Sequence, residues 1–484
     1  MAEQGEHPVI SGRPESGWVN RLSHVILFGM MLYAVIGIPE FDRKSAVAMA
    51  TDHVSPLNRF IWLTLLALAL PVMKEKWRSI MGLFKASWPL MGLFLYFTCS
   101  TQWALDPAVS LRRVMFAWVE IVLAATVVCG LKGSVAILRA VAFSCVVAAF
   151  ADLLVWIVMP GYAMTDEGLA GLQLQKNQTG IIMLYGLLAV GALLPFVKRR
   201  VWRWAGAGSL VLLFVLLLAS RSKTCLGIVL CVPGLVWLIG QLGRRRFSVG
   251  LAFVATVCAL SGVGSFVYLV WCMAMNADPL APFRDMTFTS RTDLWAFMFD
   301  EISARPWLGA GFSSFWSIDP AVQPSLKTSM WFGSEAHINE AHNGYLDLLA
   351  TGGLIGFLWG VGVLAWAVAL GCRAFVRSAK VQGRGVGVLA LPSALFHLAF
   401  LLSLCIHNFT ESNLFSNNAL LAVALYYSIF SLENWRRNLP ARASAPWAGA
   451  RLEVDNTSTI QAEEEPAPER HQEPRRFLPV PRSL

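Results

Sequence analysis

The sequence EAHNGYLDLLATGG, residues 340–353, marks the point where a long polar segment gives way to an apolar helix. Two other informative stretches lie in the same polar segment, TFTSRTDLW at 287–295 and RPWLGAGF at 305–312. Apolar sequence flanks this region on both sides. We therefore predict a chain embedded in a membrane, with one large loop at 274–341 that leaves the bilayer and returns to it.

The composition excludes an ordinary soluble protein. Of the 484 residues, 56% are hydrophobic and 14% are charged, and the mean hydropathy is +0.57, whereas soluble domains carry about 25% charged residues. The net charge is +9, but the basic residues cluster between apolar segments, which indicates membrane orientation rather than a nucleic-acid partner. The nine cysteines show no CxxC spacing, so we predict no disulfide framework and no metal site.

A membrane-spanning helix needs about 20 mostly apolar residues, and the sequence accordingly predicts an all-α fold with about twelve transmembrane helices. If residues 1–20 are cytoplasmic, every strong cluster of Lys and Arg also falls on the cytoplasmic side. The transmembrane domain then covers 21–435, and residues 436–484 form a disordered cytoplasmic tail. The predicted spans are 22–39, 57–73, 81–98, 114–130, 135–159, 178–197, 204–219, 225–240, 249–273, 344–371, 388–406 and 418–432.

A few basic residues fall on the predicted outer side, where an anionic ligand would suit them. Arg221 and Lys223 share a short turn with three hydroxyl residues. They either extend toward lipid headgroups or bind phosphate oxygens, to which Arg offers a bidentate contact. Lys176 follows the fifth predicted span and is a candidate for a second phosphate contact.

Arg291 lies in the stretch Ser290-Arg291-Thr292-Asp293, which fits a capping box with Ser290 at the N-cap. The first turn of a helix offers free N–H groups and partial positive charge, so Arg291 would reinforce an anion site there. The alternative is a solvated arginine at a helix start.

His342 is predicted at the start of a helix, next to Asn343. It is either structural or a general base, because a helix N-terminus would lower its pKa and favour the neutral imidazole. Asp347 and Glu411 are secondary candidates near the outer face.

These residues resemble the O-antigen ligase and Wzy-type polymerase family of bacterial envelope proteins, over roughly residues 20–435. Within that family, residues 175–177, 222–224 and 407–412 are most similar to the ExoQ-type exopolysaccharide polymerases. One departure is Ser290, since the family often has Gly before the arginine. The family motifs matched are Arg291-x-x-x-Trp295, Pro306-x-x-Gly309-x-Gly311 and His342-Asn343 ahead of Gly353.

The resemblance implies a GT-C-like, metal-independent, inverting glycosyltransferase without a cofactor, located in the bacterial inner membrane with its active site facing the periplasm. The donor would be an oligosaccharide on undecaprenyl pyrophosphate. Implied partners are membrane lipids, a chain-length regulator and a flippase. The implied roles are catalysis by His342 and Arg291, pyrophosphate binding by Arg221, Lys223 and Lys176, and support from Asn343, Trp295 and Glu411.

Three functions fit this sequence. The favoured one is polymerisation of lipid-linked repeat units into exopolysaccharide or O-antigen, because the extra outer cations suit two pyrophosphate-bearing lipids. A ligase would instead transfer the glycan to the lipid A core. A transporter or flippase is the alternative of another class, but transporters concentrate polar residues near the middle of the membrane.

Overall fold

The computed structural model describes residues 17–37, 56–173, 175–244, 289–333, 339–380, 390–415 and 420–438. The predicted ninth span at 249–273 and nearly all of the predicted tail lie outside the described residues.

Within these ranges the chain is almost entirely helical. The helices are α1 (Gly17–Ile36), α2 (Pro56–Ala86), α3 (Trp88–Ser100), α4 (Pro107–Gly130), α5 (Ala136–Val158), α6 (Lys176–Leu193), α7 (Arg200–Ser220), α8 (Lys223–Gly243), α9 (Thr289–Ala304), α10 (Gly344–Lys380), α11 (Leu391–His407) and α12 (Leu420–Arg437). The minor elements are one helical turn at Pro160–Ala163, an antiparallel pair of strands β1 (Met164–Thr165) and β2 (Gly168–Leu169), and 3₁₀ turns at Leu194–Phe196 and Pro324–Lys327.

Eight of the described helices are long and apolar enough to cross a bilayer, namely α1, α2, α4, α5, α6, α7, α8 and α10. Large apolar side chains such as Ile157 and Leu230 are 70% and 77% exposed, as expected for surfaces that contact lipid. The prediction of an α-helical, multi-pass membrane protein is therefore confirmed. The count of about twelve spans stays a prediction.

The predicted boundary between the second and third spans is wrong. The basic stretch 74–80 was expected to be a loop, but α2 continues through it to Ala86 with only a local break at Lys76. Residues 74–80 contain no Gly or Pro, so nothing in the basic stretch opposes a helix. The chain starts a new helix only at Trp88, where Pro89 occupies the first turn.

Two hydrogen bonds between distant parts of the chain identify the two ends of the bundle. At one, which we call the basic end, the backbone N–H of Lys132 donates to Asn20 Oδ1 at 2.9 Å. At the other, which we call the loop end, the N–H of Asp106 donates to Ser314 Oγ at 2.8 Å. The predicted alternation of spans places each of these pairs on a common side of the membrane. Which end faces the cytoplasm stays a prediction.

Helix α10 is broken at Gly353, whose φ of 59° and ψ of −171° are not helical. The segment 306–311 fills the break: the Leu354 N–H donates to the Pro306 carbonyl, and the Ala310 N–H donates to the Ala350 carbonyl, both at 2.8 Å. We call this arrangement the backbone splice. It satisfies main-chain groups that the break would otherwise leave without a partner.

A small apolar core holds α9 against the start of α10. Leu294 and Met298 of α9 are fully buried together with Phe315 and Phe332 of the loop, and Leu346 of α10 joins them. The loop end thus has a core of its own, which fixes the position of the first turn of α9.

We predict that Gly353→Ala destabilises the protein by at least about 2 kcal/mol, because its backbone conformation is essentially restricted to glycine and a Cβ there would overlap the Trp307 carbonyl. Thermal unfolding in detergent measures the effect. The control is Gly362→Ala in the same helix, where a Cβ meets no neighbouring atom within 4 Å. Equal melting temperatures for the two variants would contradict the splice.

Candidate functional site

Three titratable side chains from two separate segments meet at the loop end. His342 Nδ1 lies 2.8 Å from Glu340 Oε1 and 3.6 Å from Glu411 Oε2. The Glu411 side chain is only 9% exposed, whereas those of Glu340 and His342 are 28% and 25% exposed. Within the described residues, Nδ1 makes no well-aligned hydrogen bond, so the attraction is ionic. We call these residues the Glu340–His342–Glu411 cluster.

Arg291 joins this cluster from the first turn of α9. Its Nη1 donates to the Thr410 carbonyl at 3.0 Å, and its Nη2 lies 4.0 Å from Glu411 Oε1. The expected N-cap at Ser290 is wrong, because α9 already begins at Thr289. Helix boundaries shift by a residue or two when the sequence offers several hydroxyl residues close together, as Thr287, Thr289 and Ser290 are here.

Asn343 positions His342. Its Oδ1 accepts hydrogen bonds from the N–H groups of Tyr345 and Leu346, both at 3.1 Å, and so caps α10. Its own N–H donates to Ser412 Oγ at 3.0 Å. His342 itself has a φ of 49°, a left-handed conformation that turns the chain into the helix.

Two further side chains fix the backbone beside His342. Trp295 Nε1 donates to the Ala341 carbonyl at 3.0 Å. The half-buried Asp347 accepts hydrogen bonds from Trp316 Nε1 at 2.7 Å and from the Ala341 N–H at 3.1 Å. Both therefore act on the backbone of Ala341 and hold the loop in place.

The segment that carries Arg221 and Lys223 contacts the residue before Glu411, since Thr224, in the first turn of α8, has its Oγ1 3.0 Å from Thr410 Oγ1. Arg221 ends α7 with a left-handed φ of 54°. Both basic residues are exposed, and no ion pair joins either side chain to the cluster among the described residues. Their phosphate-binding role stays a prediction.

Lys176 forms an ion pair with an acidic residue, and its role as a second phosphate contact stays a prediction. It is the first residue of α6, and its Nζ lies 3.1 Å from Oε2 of Glu167, a largely exposed residue. The next residue, Asn177, reaches the cluster instead, because its Nδ2 donates to Glu411 Oε1 at 2.7 Å. The Lys-Asn stretch thus contributes an amide to the site.

The expected low pKa of His342 is wrong. Burial lowers the pKa of His342, but the adjacent Glu340 and Glu411 carboxylates outweigh burial and raise that pKa to about 9. The imidazole is therefore mostly protonated at neutral pH. Glu340 was missed from the sequence, although it lies only two residues before His342.

Glu340, His342 and Glu411 also have the side-chain types of a divalent-metal site, with ligand atoms within 4.8 Å of one another. Two observations oppose a metal there. The Arg291 guanidinium already lies beside Glu411, and a metal ligand must be a neutral imidazole. The three residues fit an ion-pair network better than a metal site.

A cavity of about 280 Å³ adjoins the cluster. Glu340 lines it together with aromatic side chains that include Phe97, Phe312 and Phe415. An apolar wall with a few polar groups is the usual character of a small-molecule site. We call this space the aromatic cavity.

The raised pKa predicts a pH-dependent stability. An imidazole whose pKa rises from 6.5 to about 9 on folding stabilises the protein fully below pH 6.5 and loses that effect as the pH rises through 9. The difference in melting temperature between wild type and His342→Gln should therefore shrink from pH 6 to pH 10.

The control for this measurement is His24→Gln, whose imidazole contacts the Asn20 carbonyl. If the melting-temperature difference between wild type and His342→Gln stays constant over this pH range, the ion pairs of His342 with Glu340 and Glu411 are contradicted.

Two comparisons with known proteins extend these observations. Residues 208–359 match the family model described as O-antigen ligase, a range that includes Arg221, Lys223, Arg291 and His342. The chain is also 26% identical over 324 residues to the exopolysaccharide production protein ExoQ of Rhizobium meliloti (strain 1021), covering 65% of this chain and 72% of that protein. These matches confirm the resemblance predicted from the sequence and relate this chain to the O-antigen ligase and Wzy-type polymerase family and to its ExoQ-type members.

Proposed function

We propose that this chain is a glycosyltransferase that polymerises oligosaccharide repeats linked to undecaprenyl pyrophosphate, on the periplasmic face of the inner membrane. The observation that carries the proposal is the meeting of Arg291 with the Glu340–His342–Glu411 cluster at the loop end. The similarity to an exopolysaccharide production protein supports polymerisation.

The cationic side chains act on the lipid-linked donor. Its leaving group is a lipid pyrophosphate, which gains negative charge as the bond to the sugar breaks. Arg291 lies in the first turn of α9, where free backbone N–H groups add to its charge. Arg221 and Lys223 extend from a turn that touches Thr410, whose carbonyl Arg291 also contacts. We assign these three side chains to stabilisation of the departing pyrophosphate.

The Glu340 carboxylate acts on the acceptor sugar. The acceptor hydroxyl attacks the anomeric carbon and forms the new C–O bond, while the bond to the phosphate oxygen breaks and its electron pair leaves with the pyrophosphate. The hydroxyl proton passes to Glu340, which lines the aromatic cavity. His342, protonated near neutral pH, holds that carboxylate at 2.8 Å. A single displacement of this kind inverts the configuration at the anomeric carbon and requires no metal.

A ligase is the second candidate, because the matching family model is described as O-antigen ligase. Polymerase and ligase share the donor chemistry and differ in the acceptor, which is a second lipid-linked repeat or a lipid A core sugar. A transporter is disfavoured because the charged side chains of the site, Arg291 and the Glu340–His342–Glu411 cluster, gather at one end of the bundle.

We predict that Arg291→Ala lowers the rate of polymer synthesis by about 100-fold or more, since one well-placed donor contributes about 3 kcal/mol to the transition state. Glu340→Gln and His342→Ala should cause similar losses by removing the proton acceptor and its partner. Lys223→Ala should have a smaller effect, because Arg221 supplies a neighbouring cation. Rates are measured with purified protein and lipid-linked repeats.

The matched control is Arg305→Ala, because Arg305 pairs with Glu301 at 3.9 Å and is 43% exposed. It should retain wild-type activity. Wild-type rates for both Arg291→Ala and Glu340→Gln would remove these residues from the site.

A second prediction separates polymerase from ligase. Purified protein supplied only with undecaprenyl-pyrophosphate-linked repeats, without lipopolysaccharide core, should yield products longer than one repeat, and a chelator such as EDTA should leave the yield unchanged. Elongation that begins only when core acceptor is added would identify a ligase. Loss of activity with EDTA, restored by a divalent cation, would contradict the metal-free mechanism.

A further inference from the structure

A second cavity, of about 230 Å³, lies at the loop end and is lined by amide side chains. Asn58, Gln173, Gln178 and Asn413 converge on it with the hydroxyl of Tyr33. Its remaining lining is apolar, and no charged residue lines it among the described residues. We call this space the amide cavity.

Some hydrogen-bonding groups of these amides have no partner within the described part of the chain. Tyr33 donates to Asn58 Oδ1 at 2.8 Å, and Gln173 Nε2 donates to the Val35 carbonyl at 3.0 Å. These bonds leave Asn58 Nδ2 and Gln173 Oε1 without a partner among the described residues. The Gln178 and Asn413 side chains likewise make no hydrogen bond within the described part of the chain.

An amide group both donates and accepts hydrogen bonds, as a sugar hydroxyl does. Four such groups above an apolar floor therefore match an uncharged sugar, whereas a phosphate would require cations, which lie instead at the Arg291 site. Gln178 is exposed and the other three amides are half-buried, so a sugar would bind by replacing the water at these groups with direct hydrogen bonds.

The chain connects the amide cavity to the cluster in two places. Gln178 follows Asn177, whose side chain bonds to Glu411 at 2.7 Å. Asn413 lines the amide cavity, while its neighbours Ser412 and Leu414 line the aromatic cavity. The segment after Glu411 therefore has one cavity on each side.

We propose that the amide cavity is a subsite for an uncharged sugar residue of the glycan that is joined at the Arg291 site. The inference rests on the proposed function and adds a substrate class to it. The cations hold the pyrophosphate, and the amides hold the hydroxyl groups of a neutral sugar that lies some sugar units away from the reacting bond.

The test uses full-length protein in detergent and, as the probe, uncharged oligosaccharide fragments obtained by hydrolysis of the polysaccharide that cells expressing this chain export. Isothermal titration calorimetry should show binding to the wild type. Gln178→Leu and Asn413→Leu, which preserve volume approximately but remove the amide, should each weaken binding about 10-fold. Arg291→Ala should bind the fragments as the wild type does.

The matched control is Gln175→Leu, an exposed amide of the same loop that does not line the cavity, and it should leave binding unchanged. Melting temperatures confirm that each variant is folded. The subsite is wrong if both Gln178→Leu and Asn413→Leu bind the fragments with wild-type affinity. It is also wrong if the wild type makes polymer but binds no fragment. Neither result bears on the proposed catalytic site. If Arg291→Ala makes polymer normally while Gln178→Leu still binds the fragments weakly, the proposed catalytic site is wrong and the subsite stands.

Discussion

The backbone splice between residues 306–311 and the break at Gly353 is the interaction on which the loop end depends. Inside a membrane protein, a broken helix exposes N–H and carbonyl groups that lipid cannot satisfy. Here the loop supplies their hydrogen-bond partners: the Pro306 carbonyl accepts from the Leu354 N–H, and the Ala310 N–H donates to the Ala350 carbonyl. The large loop is thereby joined to the bundle by main-chain hydrogen bonds, which do not depend on which side chains surround them.

A second attachment reinforces the splice from α4. The Arg113 guanidinium donates to the carbonyls of Trp316 and Ser317 at 2.9 Å and 2.8 Å and also contacts the Ser313 carbonyl. With the loop held on two sides, the start of α10 is fixed relative to the segment after α11, and Gly344 bonds to the carbonyls of Asn408 and Glu411. The cluster is therefore built on backbone contacts, as precise positioning of charged groups requires.

Hydropathy predicted the positions of the described long helices well, because length and apolar content are local properties of the sequence. It failed at 74–80, where basic residues continue a helix past its apolar part. The site was predicted less completely. Arg291, His342 and Glu411 do meet, but the raised His342 pKa was missed. It depends on Glu340, whose side-chain direction the sequence does not fix, and on Glu411, which is distant in sequence and adjacent only after folding. The salt bridge between Lys176 and Glu167 was not predicted either, because the loop that joins them has no regular periodicity from which to infer the contact.

The segment that follows Glu411 carries a mechanical consequence. Consecutive residues of one backbone, Ser412 and Asn413, line different cavities, so a displacement of this segment changes the lining of both. The two volumes are therefore not independent. A molecule that displaces this segment from one cavity also changes the wall of the other.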